Sequence, residues 1–556
     1  DTVVAACGVR SFDDSGSMVN HSAPLLTSVF LDKDLTFNVT SESEAEALRE
    51  ADPEHTLIEP ATDGDWKVTR RAGTEIRVPR RMKLTRTVGG QIPTGFDPKV
   101  WGIPADMVDS IDRVALWNLI CTVDAFLSSG FNPSELMRWV HPSMVANTQG
   151  TGMGGMESMH SLYIDTIMGE SKPNDLLQEA LPNVIAAHVM QSYVGGYGAM
   201  VHPVGACATT AVSVEEAVDK IRLGKADVVV AGGFDDIGVE GIVGFADMSA
   251  TADTEAMRAK GIEDRYFSRG NDRRRGGFVE AQGGGTILLA RGDVAARMGL
   301  PVLGVVGWAG SFADGIHTSI PAPGIGALSA GRGGLDSQLA KSLAKLGVTP
   351  DDISVVSKHD TSTNANDPNE SELHERLAEA LGRSEGNPLF VVSQKSLTGH
   401  AKGGAAAFQL IGLCQVLGGG VIPPNRSLDC VDEVLAENDH LVWLRQPLAH
   451  PGIKAGLLTS LGFGHVSGLI AVVHPQAFLE ALPVDERETY LERSRQRAID
   501  GRMRLTQAMC GGQTMYERPA DRRLGDTGVR AREAAMLLDP QARLGVDGVY
   551  EATSCK

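Results

Sequence analysis

One cysteine, Cys207, lies where a glycine-containing turn leads into a predicted helix. Apolar residues three or four positions apart over residues 208–223 predict an amphipathic helix, and residues 227–233 predict a buried strand. Free N–H groups and the positive end of a helix dipole stabilise an anion, so we expect this position to lower the pKa of the Cys207 thiol and make it nucleophilic. The alternative is a small buried apolar side chain, which is what most free cysteines are.

Two histidines far along the chain occupy similar places. His359 follows a predicted strand at 353–358, and His400 follows a predicted strand at 389–393 and precedes an apolar helix. An imidazole in a polar loop at the end of a strand is placed for proton transfer to a reacting group. A hydrogen-bonded structural role is the alternative for each of them.

A third segment predicts a hairpin. Residues 457–461 and 469–473 predict two strands, and the turn that follows the first contains Gly462, Phe463 and Gly464. Glycines on both sides of an aromatic residue predict a mobile flap with free backbone N–H groups.

Composition limits the class of protein. The 556 residues are 42% hydrophobic and carry a formal net charge of −19, which predicts a large globular core, more than one domain and no affinity for nucleic acid. Seven cysteines without a Cys-x-x-Cys pair favour a reducing cytoplasm and no structural metal site. The sequence contains no apolar run of about eighteen residues, so we expect no membrane span.

The two ends of the chain predict appended regions. Residues 1–88 predict a β-rich or connecting region, and residues 476–556 predict a charged helical tail. The chain begins without methionine or a leader peptide, so we expect a fragment or processed piece of a longer protein.

Three further segments have weaker signals. Residues 150–155 fit Gly-x-Gly-x-x-Gly, but without a framing βαβ unit and ribose-binding acid, close packing of a turn is favoured over dinucleotide binding. The charged residues 252–277 predict a surface insertion, and the Gly/Ala/Ser/Pro-rich residues 311–334 predict a loop at a pocket entrance.

Four motifs resemble, in order and spacing, those of the β-ketoacyl synthases, the condensing enzymes of fatty acid and polyketide synthesis. They are Gly205-Ala206-Cys207-Ala208, His359-x-Thr361-x-Thr363, Lys395-x-x-x-Gly399-His400 and Gly462-Phe463-Gly464. The resemblance covers about residues 90–475. Residues 89–95, 232–236 and 366–370 are most similar to the synthase domain of type I fatty acid synthases of mycobacteria and corynebacteria.

The resemblance implies an α/β, thiolase-like fold. We expect a synthase domain at 89–475, with two similar βα halves (about 89–310 and 340–475) of mixed sheets layered with helices.

It also implies a role for each motif. Cys207 is expected to take an acyl group from a thioester, after which malonyl thioester loses carbon dioxide and attacks it. His359 and His400 are expected to hydrogen-bond the thioester oxygen, and Lys395 to orient His400. The remaining expected roles are oxyanion binding and gating by the flap at Gly462, Phe463 and Gly464, and pantetheine binding by Thr361 and Thr363.

The sequence departs from the family pattern at three positions. Asp360 stands where glycine is usual, and we expect its charge to favour protonation of His359. His465 and Ser467 replace the usual small residue and asparagine of the flap.

The resemblance implies partners and no bound cofactor or metal. Substrates would arrive on the phosphopantetheine arm of an acyl carrier protein, expected within the same polypeptide, and the synthase is expected to be a homodimer within a larger homo-oligomer. Arg269 and residues 273–275 predict a docking patch for that acidic carrier, with a solvated surface as the alternative.

Three other functions fit the same fold. Only the fatty acid synthase-like residues 89–95, 232–236 and 366–370 distinguish this chain from the condensing domain of a polyketide synthase. A non-catalytic scaffold or chain-length subunit would lack the nucleophile, and Cys207 is present. A degradative thiolase would carry a second active-site cysteine, which residues 359–363 and 395–404 lack.

Overall fold

The computed structural model describes residues 8–13, 19, 22–93, 95–168, 175–315, 325–511, 514–516, 537–544 and 550–552. Part of the predicted loop 311–334 and much of the predicted tail lie outside these ranges. The strands are β1 Gly8–Ser11, β2 Ser22–Phe30, β3 Leu35–Val39, β4 Thr56–Pro60, β5 Trp66–Arg70, β6 Glu75–Lys83, β7 Val88–Gln91, β8 Val145–Asn147, β9 Val228–Asp235, β10 Gly283–Ala290, β11 Val305–Ala313, β12 Ile353–Ser357, β13 Leu389–Val392, β14 Val421–Ile422, β15 Leu441–Trp443, β16 Leu448–Ala449, β17 Ala455–Gly462, β18 Val466–Val473, β19 Ala542–Leu544 and β20 Tyr550–Ala552.

The helices of the described ranges cover the sheets. They are α1 Glu42–Ala51, α2 Ala105–Ser110, α3 Arg113–Ser128, α4 Pro133–Trp139, α5 Met156–His160, α6 Thr166–Met168, α7 Leu176–Glu179, α8 Val184–Val189, α9 Thr209–Arg222, α10 Val239–Asp247, α11 Thr254–Ala259, α12 Gly292–Met298, α13 Ile325–Leu328, α14 Gln338–Ala344, α15 Asn366–Ala380, α16 Lys395–Thr398, α17 Ala405–Gly419, α18 Gln476–Ala481 and α19 Val484–Met509. None of them alone has the length and apolar content to cross a membrane; α3 and α4, bent by 60°, pass that test only as a pair.

The second half of the molecule is built on a six-stranded mixed sheet. Its order is β11-β18-β17-β12-β13-β15; β18 is antiparallel to both of its neighbours, β11 and β17, and β17, β12, β13 and β15 are parallel. Strands β17 and β18 are apolar runs buried on both faces, as expected where helices cover both sides of a sheet.

The first half has a smaller sheet of the same kind. Its order is β10-β9-β8, with β9 antiparallel to β10 and parallel to β8. A single bridge from Met200 to Asn147 extends it beyond β8. Helices α3 and α9 pack on β9, and α9 also packs on β11 of the other half, so one apolar core runs between the sheets.

The two halves repeat one unit of turn, helix, strand and strand. A short 3-10 turn at Ala206–Ala208 precedes α9, β9 and β10, and a matching turn at Lys402–Gly404 precedes α17, β17 and β18. Ala206 and Lys402, the first residues of the two turns, both have a backbone φ of +47°. The expected fold of two similar βα halves is therefore present.

The appended regions attach to this core at several points. Strands β2 and β6 form a two-stranded ribbon, β3, β5 and β4 form a small sheet with α1 against it, and β1 pairs with β7 at the start of the synthase domain. In the tail, α19 packs against α3, and Tyr490 donates a hydrogen bond to the carbonyl of Leu300 (2.8 Å).

The prediction of a surface insertion at 252–277 is wrong for much of the segment. Arg269 is only 2% exposed and forms ion pairs with Asp272 (3.1 Å) and Asp429 (2.6 Å). Arg275 is also buried and pairs with Asp432 (2.6 Å). A docking patch that includes Arg269 and Arg275 is therefore excluded, because their charges are already paired inside the protein.

The glycines of residues 150–155 serve close packing. A Cβ atom on Gly150 would lie 2.3 Å from the carbonyl oxygen of Pro203, and one on Gly155 would lie 2.2 Å from that of Glu179. Thr151 donates to Asp235 (2.6 Å), whose carboxylate also accepts from the N–H of Gly403 in the other half (2.6 Å). The turn therefore joins the two halves.

A buried ion pair between Lys402 and Glu280 (3.0 Å) gives a stability prediction. Lys402→Met leaves the Glu280 carboxylate unpaired and should cost about 3–5 kcal/mol. Urea unfolding followed by circular dichroism measures this. The control is Lys341→Met, which removes the exposed pair with Asp336 and should cost under about 1 kcal/mol. Equal losses for the two variants would contradict the prediction.

Candidate active site

Cys207 is fixed by its turn and by the neighbouring half. The hydroxyl of Thr209 donates to the carbonyl of Ala206 (2.8 Å) and accepts from the N–H of Gly205 (2.9 Å). The carbonyl of Cys207 accepts a hydrogen bond from Ser460 of β17 (2.8 Å). The thiol is therefore held where the two halves meet.

His400 lies beside the thiol. Its Nε2 is 3.1 Å from the Sγ of Cys207. The backbone of His400 is tied on both sides, because its N–H donates to Val279 (2.7 Å) and its carbonyl accepts from Ala281 (3.0 Å). The ring of Phe278 packs edge-on against the imidazole, with centroids 5.1 Å apart.

His359 completes the cluster. Its ring is perpendicular to that of His400, with centroids 5.1 Å apart. One ligand atom each of Cys207, His359 and His400 lie within 4.8 Å of one another. The sequence prediction that distant segments bring these three side chains together agrees with this geometry.

Lys395 contacts His359 and not His400, contrary to expectation. Its Nζ lies 3.3 Å from Nδ1 of His359 and donates to the His359 carbonyl oxygen. Among the hydrogen bonds of the described residues, none joins Lys395 to His400, on which it acts through its charge, so the predicted orienting role passes from one histidine to the other.

The expected lowering of the Cys207 pKa is also wrong. Burial raises the pKa of the thiol to about 11, although the charges of Lys395 and Lys402 and the N–H of Phe463 act in the opposite direction. Helix α9 begins two residues after the cysteine, at Thr209, and the thiol is enclosed by the protein. Loss of hydration therefore outweighs the stabilisation of an anion.

Both imidazoles are neutral at physiological pH. Burial first, and then the charge of Lys395, hold the pKa of His359 and of His400 well below the usual value. Burial also lowers the pKa of Lys395 to about 8. A neutral Nε2 at hydrogen-bond distance can accept the thiol proton, so His400 is the candidate general base for Cys207.

Asp360 does not favour protonation of His359. Its carboxylate pairs with Lys358 (2.8 Å) and accepts from the amide of Asn271 (2.7 Å), and all three side chains are buried. Asp360 has a backbone φ of +38°, a conformation that glycine adopts more easily. The ion pair therefore stabilises a backbone conformation that glycine, the usual residue at this position, adopts without such a contact.

Glu370 of α15 fixes the backbone of the same loop. Its carboxylate accepts from the N–H groups of His359 and Asp360, the latter at 2.9 Å, and from the amide of Asn366 (3.2 Å). Sequence reasoning missed Lys358 and Asn271 as members of this network. A lysine before the histidine was a usable signal, whereas nothing marked Asn271.

The predicted flap is a tight turn between β17 and β18. The N–H of Phe463 hydrogen-bonds the Cys207 thiol. This N–H group is therefore placed to donate to the oxyanion that would form on an acyl-cysteine. A Cβ atom on Gly462 would lie 2.5 Å from the carbonyl oxygen of Gly205, so only glycine fits there. Gly464 has a φ of +81°.

Thr361 and Thr363 are already hydrogen-bonded. Their hydroxyls are 3.1 Å apart, and that of Thr363 accepts from the N–H of Asn366 at the start of α15 (3.0 Å). Pantetheine binding by these residues stays a prediction.

The cluster also has the ligand types of a zinc site, since thiolate and imidazole nitrogens bind Zn²⁺. The ammonium of Lys395, 3.3 Å from Nδ1 of His359, would repel a cation there. We therefore keep the prediction that the site works without metal.

Comparisons with known proteins agree with this site. Residues 48–295 match the N-terminal domain of β-ketoacyl synthases, and residues 303–429 match the C-terminal domain. The fatty acid synthase alpha subunit stcJ of Emericella nidulans is 37% identical over 97% of this chain and 35% of its own length. The fatty acid synthase subunit alpha of Saccharomyces cerevisiae is 32% identical over 84% of this chain and 29% of its own length.

A solved structure shows the fold. The ketosynthase FabY from P. aeruginosa superposes with a TM-score of 0.80 at 23% identity, over 94% of this chain and 82% of its own. The predicted thiolase-like fold is confirmed.

The chain spans about a third of the length of the curated relatives named above. Those relatives are fungal. They therefore support a similarity to fatty acid synthases in general, and they do not favour the predicted mycobacterial and corynebacterial kind. Two family models in succession, two long alignments and one fold lead to the same result: the chain belongs to the β-ketoacyl synthase family.

Proposed function

We propose that this chain is the condensing domain of a type I fatty acid synthase, which joins a malonyl thioester to an acyl group held on Cys207. The observation that carries the proposal is the buried contact of Cys207 Sγ with His400 Nε2 (3.1 Å), with His359 and the N–H of Phe463 at the same place.

The first step is acyl transfer. His400 accepts the thiol proton as Sγ attacks the thioester carbonyl, and the N–H of Phe463 donates to the developing oxyanion. The C–S bond of the carrier thioester breaks, and His400 returns the proton to the departing pantetheine thiolate. Cys207 is then a thioester and both imidazoles are neutral again.

The second step removes carbon dioxide from malonyl thioester. The C–C bond to the carboxylate breaks, and its electron pair forms an enolate whose charge lies on the thioester oxygen. His359 and His400, held about at right angles, donate hydrogen bonds to that oxygen. For His400 this step uses the tautomer with the proton on Nε2, whereas acyl transfer uses the tautomer with the proton on Nδ1. A site without water strengthens these bonds.

The third step forms the new bond. The enolate carbon attacks the acyl carbonyl on Cys207, the C–S bond to Cys207 breaks, and the thiolate takes one proton to regenerate the thiol. The product is a 3-oxoacyl thioester longer by two carbons, with one carbon dioxide released.

We further propose that the longer protein is a type I synthase of the mycobacterial and corynebacterial kind, located in the cytoplasm. Residues 89–95, 232–236 and 366–370 support this assignment. An acyl carrier protein in the same polypeptide would deliver substrates on its phosphopantetheine arm. The relatives are fatty acid synthase alpha subunits, which is consistent with such a carrier.

A homodimer is part of the proposal. Exposed apolar side chains occur in two segments that flank the entrance to the cysteine turn; they are Met153, Met159, Tyr163, Ile167, Tyr197, Met200 and Val204. Met200 also lies at the edge of the first sheet, where a second copy can pair with it. Exposed apolar surface of this kind is typical of subunit interfaces.

Cys207→Ala separates the steps. Acyl transfer and condensation should fall by about 10³-fold or more, because the variant removes the thiol that lies 3.1 Å from His400 Nε2. Release of carbon dioxide from malonyl thioester should persist, since both imidazoles remain. The measurements are 3-oxoacyl product by mass spectrometry and labelled carbon dioxide, with the exposed Cys430→Ala as control. A Cys207→Ala protein that still condenses would refute the proposal.

Alkylation of Cys207 reports the charge of Lys395. Because Lys395 lowers the thiol pKa, Lys395→Met should slow labelling by iodoacetamide below about pH 8, where the native lysine is charged. Above pH 8 the two proteins should converge, and labelling should rise toward pH 11 in both. Peptide mass spectrometry measures the rates, and Lys454→Met, an exposed lysine, is the control. Equal rates at pH 7 would contradict this role.

Charge at the proposed interface should dissociate the dimer. Met200→Asp places a carboxylate on the exposed sheet edge and should convert the dimer to monomers, as measured by sedimentation velocity. The control is Val484→Asp, an apolar position at the start of α19 that is more exposed (78%) than Met200 (44%). A wild-type chain that sediments as a monomer at micromolar concentration would rule out the interface.

A further inference from the structure

A buried segment, residues 268–271, contacts two elements of the second half that reach the active site. The hydroxyl of Ser268 donates to the carbonyl of Lys395 at the start of α16 (2.6 Å). The N–H of Arg269, the next residue, donates to the hydroxyl of Ser362 in the loop that follows β12 (2.9 Å). The segment therefore fixes the start of α16 and this loop relative to each other.

Asn271 closes a ring with the buried ion pair of the same loop. Its Nδ2 donates to one carboxylate oxygen of Asp360 (2.7 Å), and its Oδ1 accepts from the ammonium of Lys358 (2.9 Å). That ammonium lies 2.8 Å from the other carboxylate oxygen of Asp360. Each of the three buried side chains thus contacts the other two. A side-chain amide suits this place because it has a donor for the anion and an acceptor for the cation.

The backbone of Asn271 is also held on both sides. Its N–H donates to the Asp367 carboxylate (2.9 Å), and its carbonyl accepts from the N–H of Asp432 (3.0 Å). Its φ of +67° is in the left-handed region, as are those of Asp360 (+38°) and Ser362 (+64°). Non-glycine residues keep this conformation where their surroundings over-determine it, and such residues cluster at active sites. The contacts of the backbone therefore determine where the amide lies.

The ring holds the chain on both sides of His359, which is the residue between Lys358 and Asp360. The imidazole of His359 lies at right angles to that of His400, with centroids 5.1 Å apart. His400 is held separately, by hydrogen bonds of its own N–H and carbonyl with the backbone of residues 279–281 (2.7 and 3.0 Å). A disturbed ring should therefore displace one imidazole of the site and leave the other in place.

We propose that Asn271 is a positioning residue for malonyl decarboxylation and that it acts through His359. The inference rests on the proposed function, in which both imidazoles bind the enolate oxygen but acyl transfer uses Cys207, His400 and the N–H of Phe463. Displacement of His359 removes one of the two donors to the enolate and none of the groups of acyl transfer. Loss of the amide should therefore slow decarboxylation and spare acyl transfer.

An exchange of the amide and the carboxylate tests the ring. Asn271→Asp places a second carboxylate where the amide nitrogen now lies 2.7 Å from Asp360, and the two anions repel each other. Asp360→Asn removes the anion that pairs with Lys358. The double variant exchanges the two groups, so the ring again has one cation, one anion and one amide with the same contacts.

The expected results separate positioning from general destabilisation. Each single variant should lower kcat for release of labelled carbon dioxide from malonyl pantetheine about 100-fold at unchanged KM, because small displacements of a catalytic group have effects of this size. The double variant should recover to within about fivefold of the wild-type kcat. Acylation of Cys207 by an acyl pantetheine thioester, measured by intact-protein mass spectrometry, should stay within about threefold of wild type in every variant.

Two outcomes of the exchange would overturn the inference. One is an equal loss of decarboxylation and acylation in the single variants. The other is a double variant no more active than either single variant. The double variant decides the result even where a single variant fails to fold.

A glycine variant removes the amide without straining the backbone. Asn271→Gly keeps the positive φ and the backbone hydrogen bonds to Asp367 and Asp432. It should lower the release of carbon dioxide about tenfold or more. The matched control is Ser249→Gly, at an exposed residue with a φ of +54°, which should leave the release unchanged. Unchanged release in Asn271→Gly would contradict the positioning role.

Hydrogen–deuterium exchange gives a readout that needs no catalysis. In the wild-type chain and in the double variant, peptides that cover residues 358–363 should exchange at least about tenfold more slowly than in either single variant. A wild-type chain that releases no carbon dioxide would refute the proposed function, and this comparison would still decide the inference. The same exchange rate in all four proteins would overturn it.

Discussion

Removal of water from around Cys207 sets the charge of every group in the site. The thiol, both imidazoles and the Lys395 ammonium are buried, and burial disfavours the charged form of each. At neutral pH the thiol and both imidazoles are therefore uncharged, and Lys395, with a pKa of about 8, carries the positive charge of the site. Negative charge appears only as a substrate reacts, and the hydrogen-bond donors are in place before it does, so little reorganisation is needed.

The ionic network behind His359 is also removed from water, and this limits its contribution to stability. Lys358 and Asp360 are fully buried on either side of the histidine, and such a pair contributes little net stability because desolvation offsets its attraction. Its geometric effect is larger. Together with Glu370, which binds the backbone N–H of Asp360 (2.9 Å), the pair defines one conformation for the loop that carries His359. We interpret the network as fixing the position of His359 more than as stabilising the fold.

Local patterns predicted most of the fold. The helix predicted at 208–223 is Thr209–Arg222, and the strand predicted at 353–358 is Ile353–Ser357, because apolar periodicity follows directly from which face is buried. The positions of Cys207, His359 and His400 in one site followed from four motifs in register.

What the sequence did not reveal depended on the third dimension. Arg269 is charged and lies in a polar segment, yet it is buried, because its partner Asp429 comes from 160 residues further along the chain. The pKa of Cys207 depended on how completely the other half encloses the thiol, which a helix start does not specify. Lys395 was assigned to the wrong imidazole, since spacing along the chain does not distinguish two rings 5.1 Å apart.

The matching turns at Ala206 and Lys402 have an evolutionary consequence. If the halves descend from one duplicated ancestor, the residue equivalent to Cys207 is Gly403, the second residue of its turn. A Cβ atom on Gly403 would lie 2.6 Å from the nitrogen of Gly152 and 2.7 Å from a carboxylate oxygen of Asp235. Crowding therefore excludes a side chain at Gly403. The fold repeats its turn twice, but only the first turn can carry a reactive side chain, so each polypeptide has one reaction centre.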